Sequence, residues 1–292
     1  MSEEPSQFPR VARLDADRLI ERLAVETGLR LDLESHSTGG QVGAAYVRWP
    51  DGHRSVLTWQ PGVSLRRARE TARNVEFARA VGVPAPRYEL VADLDDEVAV
   101  VQELLPGSSP KGVDVRLVEE MLAVDRRLYG VLAGTDIAAV PLYLTESGPG
   151  FCLHEPLQAY SARSRRLLEW VHEVGRTVPP TMSGDDLVHP DFHPDNVLVT
   201  DDGVLSAVVD WDGAARGDAR FGIVNMRFFG PPGRLAPEVV RRIDAAIDEA
   251  LTPDEMRPYW AALSLRLVDW SIRHSTPADT EGWLDLAESR IS

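Results

Sequence analysis

The chain has 292 residues, with 31 Lys and Arg against 46 Asp and Glu, for a formal net charge of −15. That length allows a substantial hydrophobic core, and 43% hydrophobic with 26% charged residues is the composition of a globular rather than a disordered protein. The acidic balance argues against a nucleic-acid partner, which needs a basic face to displace counterions, and the single cysteine, Cys152, excludes an internal disulfide or a multi-thiolate zinc site.

The first ten residues, MSEEPSQFPR, are polar and acidic, unlike a signal peptide. No apolar run approaches the roughly 18 residues that cross a bilayer, so a soluble, cytoplasmic protein without membrane contact is expected. Leu19, Ile20, Leu23 and Ala24 recur at helical spacing and predict a helix over 15–28. A turn at 38–40 leads into a strand over 42–49. Pro50-Asp51-Gly52 then signals a hairpin, with the returning strand over 55–59. Ser64 is placed to cap a helix over 64–81 that carries many arginines on its wet face. After the break Val83-Pro84-Ala85-Pro86, strands are expected near 88–92 and 98–104. Pro106-Gly107-Ser108-Ser109-Pro110 marks the expected boundary between an N-terminal lobe, 1–105, and a helical lobe, 106–292. In the second lobe helices are predicted over 113–132, 157–178, 237–251, 253–273 and 280–291, and short strands over 196–200 and 204–210. The stretch 140–156 reads as loop. The fold class is therefore α+β, a small antiparallel-sheet lobe followed by a larger helical one with a cleft between.

Chemistry concentrates in Leu187-Val188-His189-Pro190-Asp191-Phe192-His193-Pro194-Asp195-Asn196-Val197-Leu198-Val199 and, shortly after, Val208-Val209-Asp210-Trp211-Asp212. A hairpin between the two predicted strands brings Asn196 and Asp210 to the same end. Two hard oxygen donors with room for water form the environment that Mg²⁺ prefers when substrate phosphates complete its shell. Asp191, on the preceding loop, is then free to accept a proton from an attacking hydroxyl.

His-x-Asp-x-x-x-x-Asn followed by a strand-terminal Asp resembles the catalytic and metal loops of protein kinases. The version HPDFHPDNVLV…VVDWD looks much more like the aminoglycoside phosphotransferase and choline kinase branch. The resemblance implies a bilobal kinase-like fold and a small-molecule phosphotransferase that moves the γ-phosphoryl group of ATP or GTP, with Mg²⁺, to a substrate hydroxyl. It makes Asp191 the catalytic base or hydroxyl-orienting carboxylate, His189 a support of the same loop, and Asn196 and Asp210 the metal ligands. Gly39 and Gly40 would belong to the nucleotide loop, Glu70 would be the acidic residue of the N-lobe helix, and Gln102, Glu103, Leu104 and Leu105 would form the hinge that holds the base. The acidic net charge suits a small hydroxylated, cationic acceptor such as an aminoglycoside or a basic peptide antibiotic.

Three positions depart from the family pattern. The family places a lysine on the returning strand, where Thr58 stands here. No shift of register supplies one, because Lys111 is the chain's sole lysine and lies past the hinge. Arg48, Arg54 or Arg69 would have to provide the charge, and arginine is a planar fork rather than a point charge; otherwise the chain is a catalytically weakened kinase-like binding or regulatory protein. Pro190 and Asp195 replace common glycines, and Asp195 is read as a solvated loop residue. Outside the resemblance, His189, Asp191, His193 and Asp195 form a possible zinc set for a metallohydrolase, although that leaves VVDWD unexplained. Phe192 and His193 are read as packing residues and Cys152 as inert. Trp211 and Asp212 stay open between core or surface and site.

Overall fold

The computed structural model describes Phe8 and residues 12–37, 42–95, 97–230 and 233–291. Gly39 and Gly40 lie outside the described residues. Helix α1 (Ala16–Thr27) is capped by Asp15, whose carboxylate accepts the Arg18 N–H at 3.2 Å, and closes on Gly28 at φ 71°. Five antiparallel strands follow: β1 (Asp32–His36), β2 (Ala45–Arg48), β3 (Arg54–Pro61), β4 (Tyr88–Asp93) and β5 (Glu97–Glu103), in the spatial order β1-β2-β3-β5-β4. Helix α2 (Leu65–Ala80) connects β3 to β4 and is capped by Ser64, as the sequence implies. The sequence does not mark β1, because DLESH offers a single apolar residue and no alternation.

Alternation along the strands assigns the two faces of the sheet. Val47, Leu57, Ala99 and Val101 pack with Ala16, Leu19 and Leu23 of α1. Val98 and Val100 pack on the opposite face with Ala68 of α2. Thr58 lies opposite Val100 and Gln60 opposite Val98, so both stand on the α2 side.

The remainder is helical: α3 (Val115–Arg127), α4 (His154–Tyr160), α5 (Ala162–Gly175), α6 (Arg220–Arg227), α7 (Pro237–Ala250), α8 (Pro253–His274) and α9 (Pro277–Glu288). Two small hairpin-like pairs interrupt it, β6 (Asp186–Val188) with β9 (Ala215–Gly217), and β7 (Val197–Val199) with β8 (Leu205–Val208). The single helix expected over 157–178 is in fact α4 and α5, because Ser161 and Ser164 form a capping box that restarts the chain. The stretch 140–156 is loop only as far as Leu153, where α4 begins. The large core runs from Val75 and Ala78 at the end of α2 through Leu122, Leu168 and Leu263, and each such valine or leucine contributes about 1.5–3 kcal/mol on burial.

Beyond β5 the chain is tied to the helical part by a mutual pair of backbone bonds, Ser108 N–H to Val199 O (3.0 Å) and Val199 N–H to Ser108 O (2.8 Å). Gly107, at φ 119°, makes this approach possible, since a Cβ there would lie 2.4 Å from Ser206 Oγ.

Candidate active site

The site is assembled by two short strands and the turns at their ends. Strand β6 delivers His189, and a 3-10 turn at Pro194–Asn196 leads directly into β7. Val197 pairs with Val208, and the Val209 N–H donates to Asn196 O at 2.9 Å. The hairpin therefore sets Asn196 beside the residue preceding Asp210, as its spacing in the sequence implies. Asp210 adopts φ 60°, a left-handed backbone costing a non-glycine residue about 1–2 kcal/mol.

His189 is buried among Trp211 and Phe192, with ring centroids 4.6 and 5.7 Å away. Its Nε2–H donates to Val209 O at 2.9 Å and its Nδ1 accepts the Asp191 N–H at 3.2 Å. Burial pushes the imidazole down to about 4, against the favourable bond to Val209. Both nitrogens are thus spent on backbone, and the neutral ring staples the loop of Asp191 to the strand leading to Asp210. Phe192 and Trp211 are core residues, the indole N–H of Trp211 donating to Val208 O at 2.9 Å.

Asp191 is held on both oxygens. Arg266 of α8 meets Oδ1 at 3.1 Å, while His193 Nε2 and Asn196 Nδ2 each approach Oδ2 at 3.3 Å. Desolvation opposes ionisation here, but Arg266 and His193 together outweigh it and hold the carboxyl well below the usual carboxylate range. His193 is raised in turn: desolvation lowers it, and the Asp191 carboxylate more than compensates. His193 is accordingly part of the charged cluster rather than simple packing. The carbonyl of Pro190 accepts from Arg266 at 2.7 Å and from Asn225 of α6 at 3.1 Å.

Asn196 spends its Nδ2 on Asp191, donating to the backbone O at 2.8 Å, so the side-chain oxygen remains for another partner. Among the described residues no hydrogen bond or ion pair satisfies Asp210. Solvent reaches Asp210 and Asp212, yet the protein packed around them makes their charges costly. Desolvation, then the neighbouring Asp191, raises Asp210; desolvation, then Asp210, raises Asp212, which Gln60 Nε2 of β3 partly relieves by donating to Oδ1. The Asn196 side-chain oxygen and the Asp210 carboxylate, neither with a partner among the described residues, are hard oxygen donors of the kind Mg²⁺ takes together with phosphate and water. The alternative zinc set does not form: His189 is spent on backbone, Asp195 faces Arg234 at 3.2 Å, and no three His, Cys, Asp or Glu side chains among the described residues converge on an ion.

The remaining sequence-derived positions divide. Thr58 faces the α2 side, and its Oγ1 accepts from Gln102 Nε2 at 3.5 Å. Glu70 is not brought to the cluster. The inward stripe of α2 is Ala68, Thr71, Asn74, Val75 and Ala78, and Glu70 falls outside that phase, paired with Arg66 at 2.6 Å. Asn74, not an acid, reaches the loop that follows Asp210, donating to Ala214 O at 2.8 Å. At the proposed hinge Gln102 and Glu103 are internally engaged, Glu103 with Arg79 at 3.2 Å and the Arg87 N–H at 3.1 Å, while Leu104 and Leu105 continue past the strand half-buried. Arg48 of β2 and Arg54 of β3 both bind Glu34 of the edge strand β1. Arg266 and Gln60 were not singled out from the sequence. A signal for Arg266 exists, since Arg266, Asp269 and Arg273 form a charged stripe at helical spacing within the otherwise buried α8.

The sequence profile of the "Phosphotransferase enzyme family" matches residues 38–259. The chain belongs to that family. Hygromycin-B 4-O-kinase of Escherichia coli is 33% identical over 79 residues, which are 27% of this phosphotransferase-family chain and 23% of that enzyme. Amicoumacin kinase hAmiN, solved with AMP-PNP, Ca²⁺ and its antibiotic, superposes with a TM-score of 0.65 at 13% identity, covering 95% of this chain and 93% of that one. An apo thermostable mutant of aminoglycoside phosphotransferase APH(4)-Ia gives 0.61 at 19% identity, covering 93% and 97%. The macrolide 2'-phosphotransferase MphH of Brachybacterium faecium gives 0.51 at 20%, covering 94% and 99%. At these identities the superpositions establish the kinase-like fold.

Proposed function

We propose that this family member transfers the γ-phosphoryl group of ATP or GTP to a hydroxyl of a small acceptor. The observation that carries the reading is the convergence of Asp191, Asn196 and Asp210 at one end of the β7–β8 hairpin, with Arg266 closing the far side of Asp191. In the reaction the acceptor oxygen bonds to the γ-phosphorus, the bond from that phosphorus to the β–γ bridging oxygen breaks, and the nucleoside diphosphate leaves. The hydroxyl proton passes to Asp191 and then to solvent. Because Arg266 and His193 keep Asp191 ionised, its main work is to orient the hydroxyl as a hydrogen-bond acceptor, with proton transfer late, as suits a loose transition state. His189 holds that carboxylate's loop in register with the metal loop. Mg²⁺, held by Asn196 and Asp210, would neutralise phosphate charge. The rest of the rate would come from positioning.

The acceptor is proposed to be a hydroxylated, cationic antibiotic, on the support of the −15 net charge and of the likeness to kinases of hygromycin B, amicoumacin and macrolides. A thermal-shift titration with ATP or GTP and Mg²⁺ tests the donor, since a ligand of the folded state raises Tm. A screen of hygromycin B, spectinomycin, amicoumacin and a macrolide for phosphate incorporation tests the acceptor. Absence of both a nucleotide shift and nucleotide turnover would sink the enzymatic reading and return the chain to a non-catalytic binding role. Nucleotide turnover with no phosphate incorporated into any of these compounds would overturn the antibiotic choice of acceptor.

A further inference from the structure

The N-terminal sheet has no lysine to place against phosphate, and Thr58 occupies the strand position where one would stand. Asn196, Asp191, Asp210 and Asp212 together are rich in negative and neutral oxygen. Among the described residues a single guanidinium touches this group, that of Arg266. It binds Asp191 Oδ1 at 3.1 Å and Pro190 O at 2.7 Å. Its side chain is 29% exposed and that of Asp191 27%, so the pair faces solvent together rather than lying in the core. One N–H donates to the loop carbonyl of Pro190 and Nη2 lies against Asp191, so part of the five-donor guanidinium stays uncommitted to the loop. The next charged residues on the same face of α8, Asp269 and Arg273, are fully buried, paired at 2.7 Å, and fix Leu153 and Gly150. That anchorage keeps α8, and with it the Cα of Arg266, in a fixed position beside the loop.

We propose that Arg266 is a positioning residue for phosphoryl transfer. It aims the Asp191 carboxylate by engaging Oδ1, and it sets a permanent positive charge beside the point of transfer, where the sheet offers no lysine. The proposal rests on the phosphotransferase reading above. A group that holds the nucleophile-orienting carboxylate must lie near the γ-phosphoryl, because the two reacting oxygens approach the phosphorus in line. A charge placed there is worth most when negative charge spreads over the transferred group, and least when only the diphosphate is bound.

The test compares wild type, Arg266→Gln and Arg266→Lys by thermal shift with MgADP alone and with MgADP plus aluminium fluoride, a mimic of the transferring phosphoryl group. Turnover of MgATP is measured alongside. Arg266→Gln should keep the MgADP shift within about 1 °C, lose most of the further shift that aluminium fluoride gives, and turn over MgATP at least about tenfold more slowly. Arg266→Lys, with the charge but not the fork, should fall between, and it carries the comparison if the Gln variant does not fold. Equal aluminium fluoride increments in wild type and variants, including none in any of them, overturn the proposal. So does a parallel loss of both shifts, which is the mark of a merely structural residue. A wild type that ignores MgADP altogether overturns the phosphotransferase reading itself, and this inference with it.

Discussion

Replacing His189 by glutamine should narrow the stability gap between wild type and variant as the pH falls. The imidazole is 2% exposed, bonded on both nitrogens to backbone, and pushed down to about 4 by burial. In an unfolded chain it titrates near ~6.5. Between those values the unfolded chain takes up a proton that the folded chain refuses. Stability is therefore complete above the unfolded value and falls as the pH drops towards the folded one. The full difference of roughly 2.5 units is about 3 kcal/mol, of which about 2 kcal/mol is lost by pH ~5. At neutral pH the glutamine variant should be weaker by roughly 1–3 kcal/mol, the cost of disturbing two buried hydrogen bonds, but it has no such titration. Asp210 and Asp212 titrate in the opposite sense, because a raised carboxyl takes its proton first in the fold, and they do so in both proteins. The difference between the two proteins isolates the imidazole. Urea unfolding at pH ~7.5, ~6 and ~5 should show the wild-type advantage shrinking by about 2 kcal/mol. A difference that does not change with pH would refute the assignment of His189 as a neutral staple.

Asp191→Asn should lower phosphoryl transfer by about 10²–10⁴-fold while the MgADP thermal shift persists, and retention of full turnover would reject its role. Asp210→Gly relieves both a left-handed backbone and an unneutralised carboxylate, so the nucleotide-free protein should gain about 1–2 kcal/mol in denaturant unfolding while its Mg²⁺-dependent nucleotide shift disappears. Asp269→Ala strands a buried guanidinium and should cost about 3–5 kcal/mol, whereas the paired replacement Asp269→Leu with Arg273→Met should cost far less, both read from urea midpoints.

What could be read from the sequence followed local physics. The hairpin turn at Pro50-Asp51-Gly52, the Ser64 cap and the apolar strand near 98–104 are decided by neighbours in the chain, and the folded protein carries them where expected. The closeness of Asn196 and Asp210 was legible for the same reason, because one short hairpin determines it. The phase of α2 is not legible locally, because it is set by which stripe meets the sheet: Thr71 and Asn74 are buried there, while Glu70 pairs with Arg66. Arg266 is 75 residues from Asp191 in sequence, and only the packing of α8 against the loop brings them together. Breaks such as Ser161 depend on a reciprocal pair of serine hydroxyls, a weaker signal than proline or glycine.

The anchorage of α2 bears on how such a protein can be controlled. Its inner face serves the sheet through Ala68, its later turns sink Val75 and Ala78 into the large helical core, and Asn74 grips the backbone of the loop that follows Asp210. A helix pinned in this way cannot swing out as an on–off lever without tearing apolar surface from two cores at once. Displacement of α2 is therefore a poor route of control, and under the proposed activity an assay begun by adding substrate should show no lag.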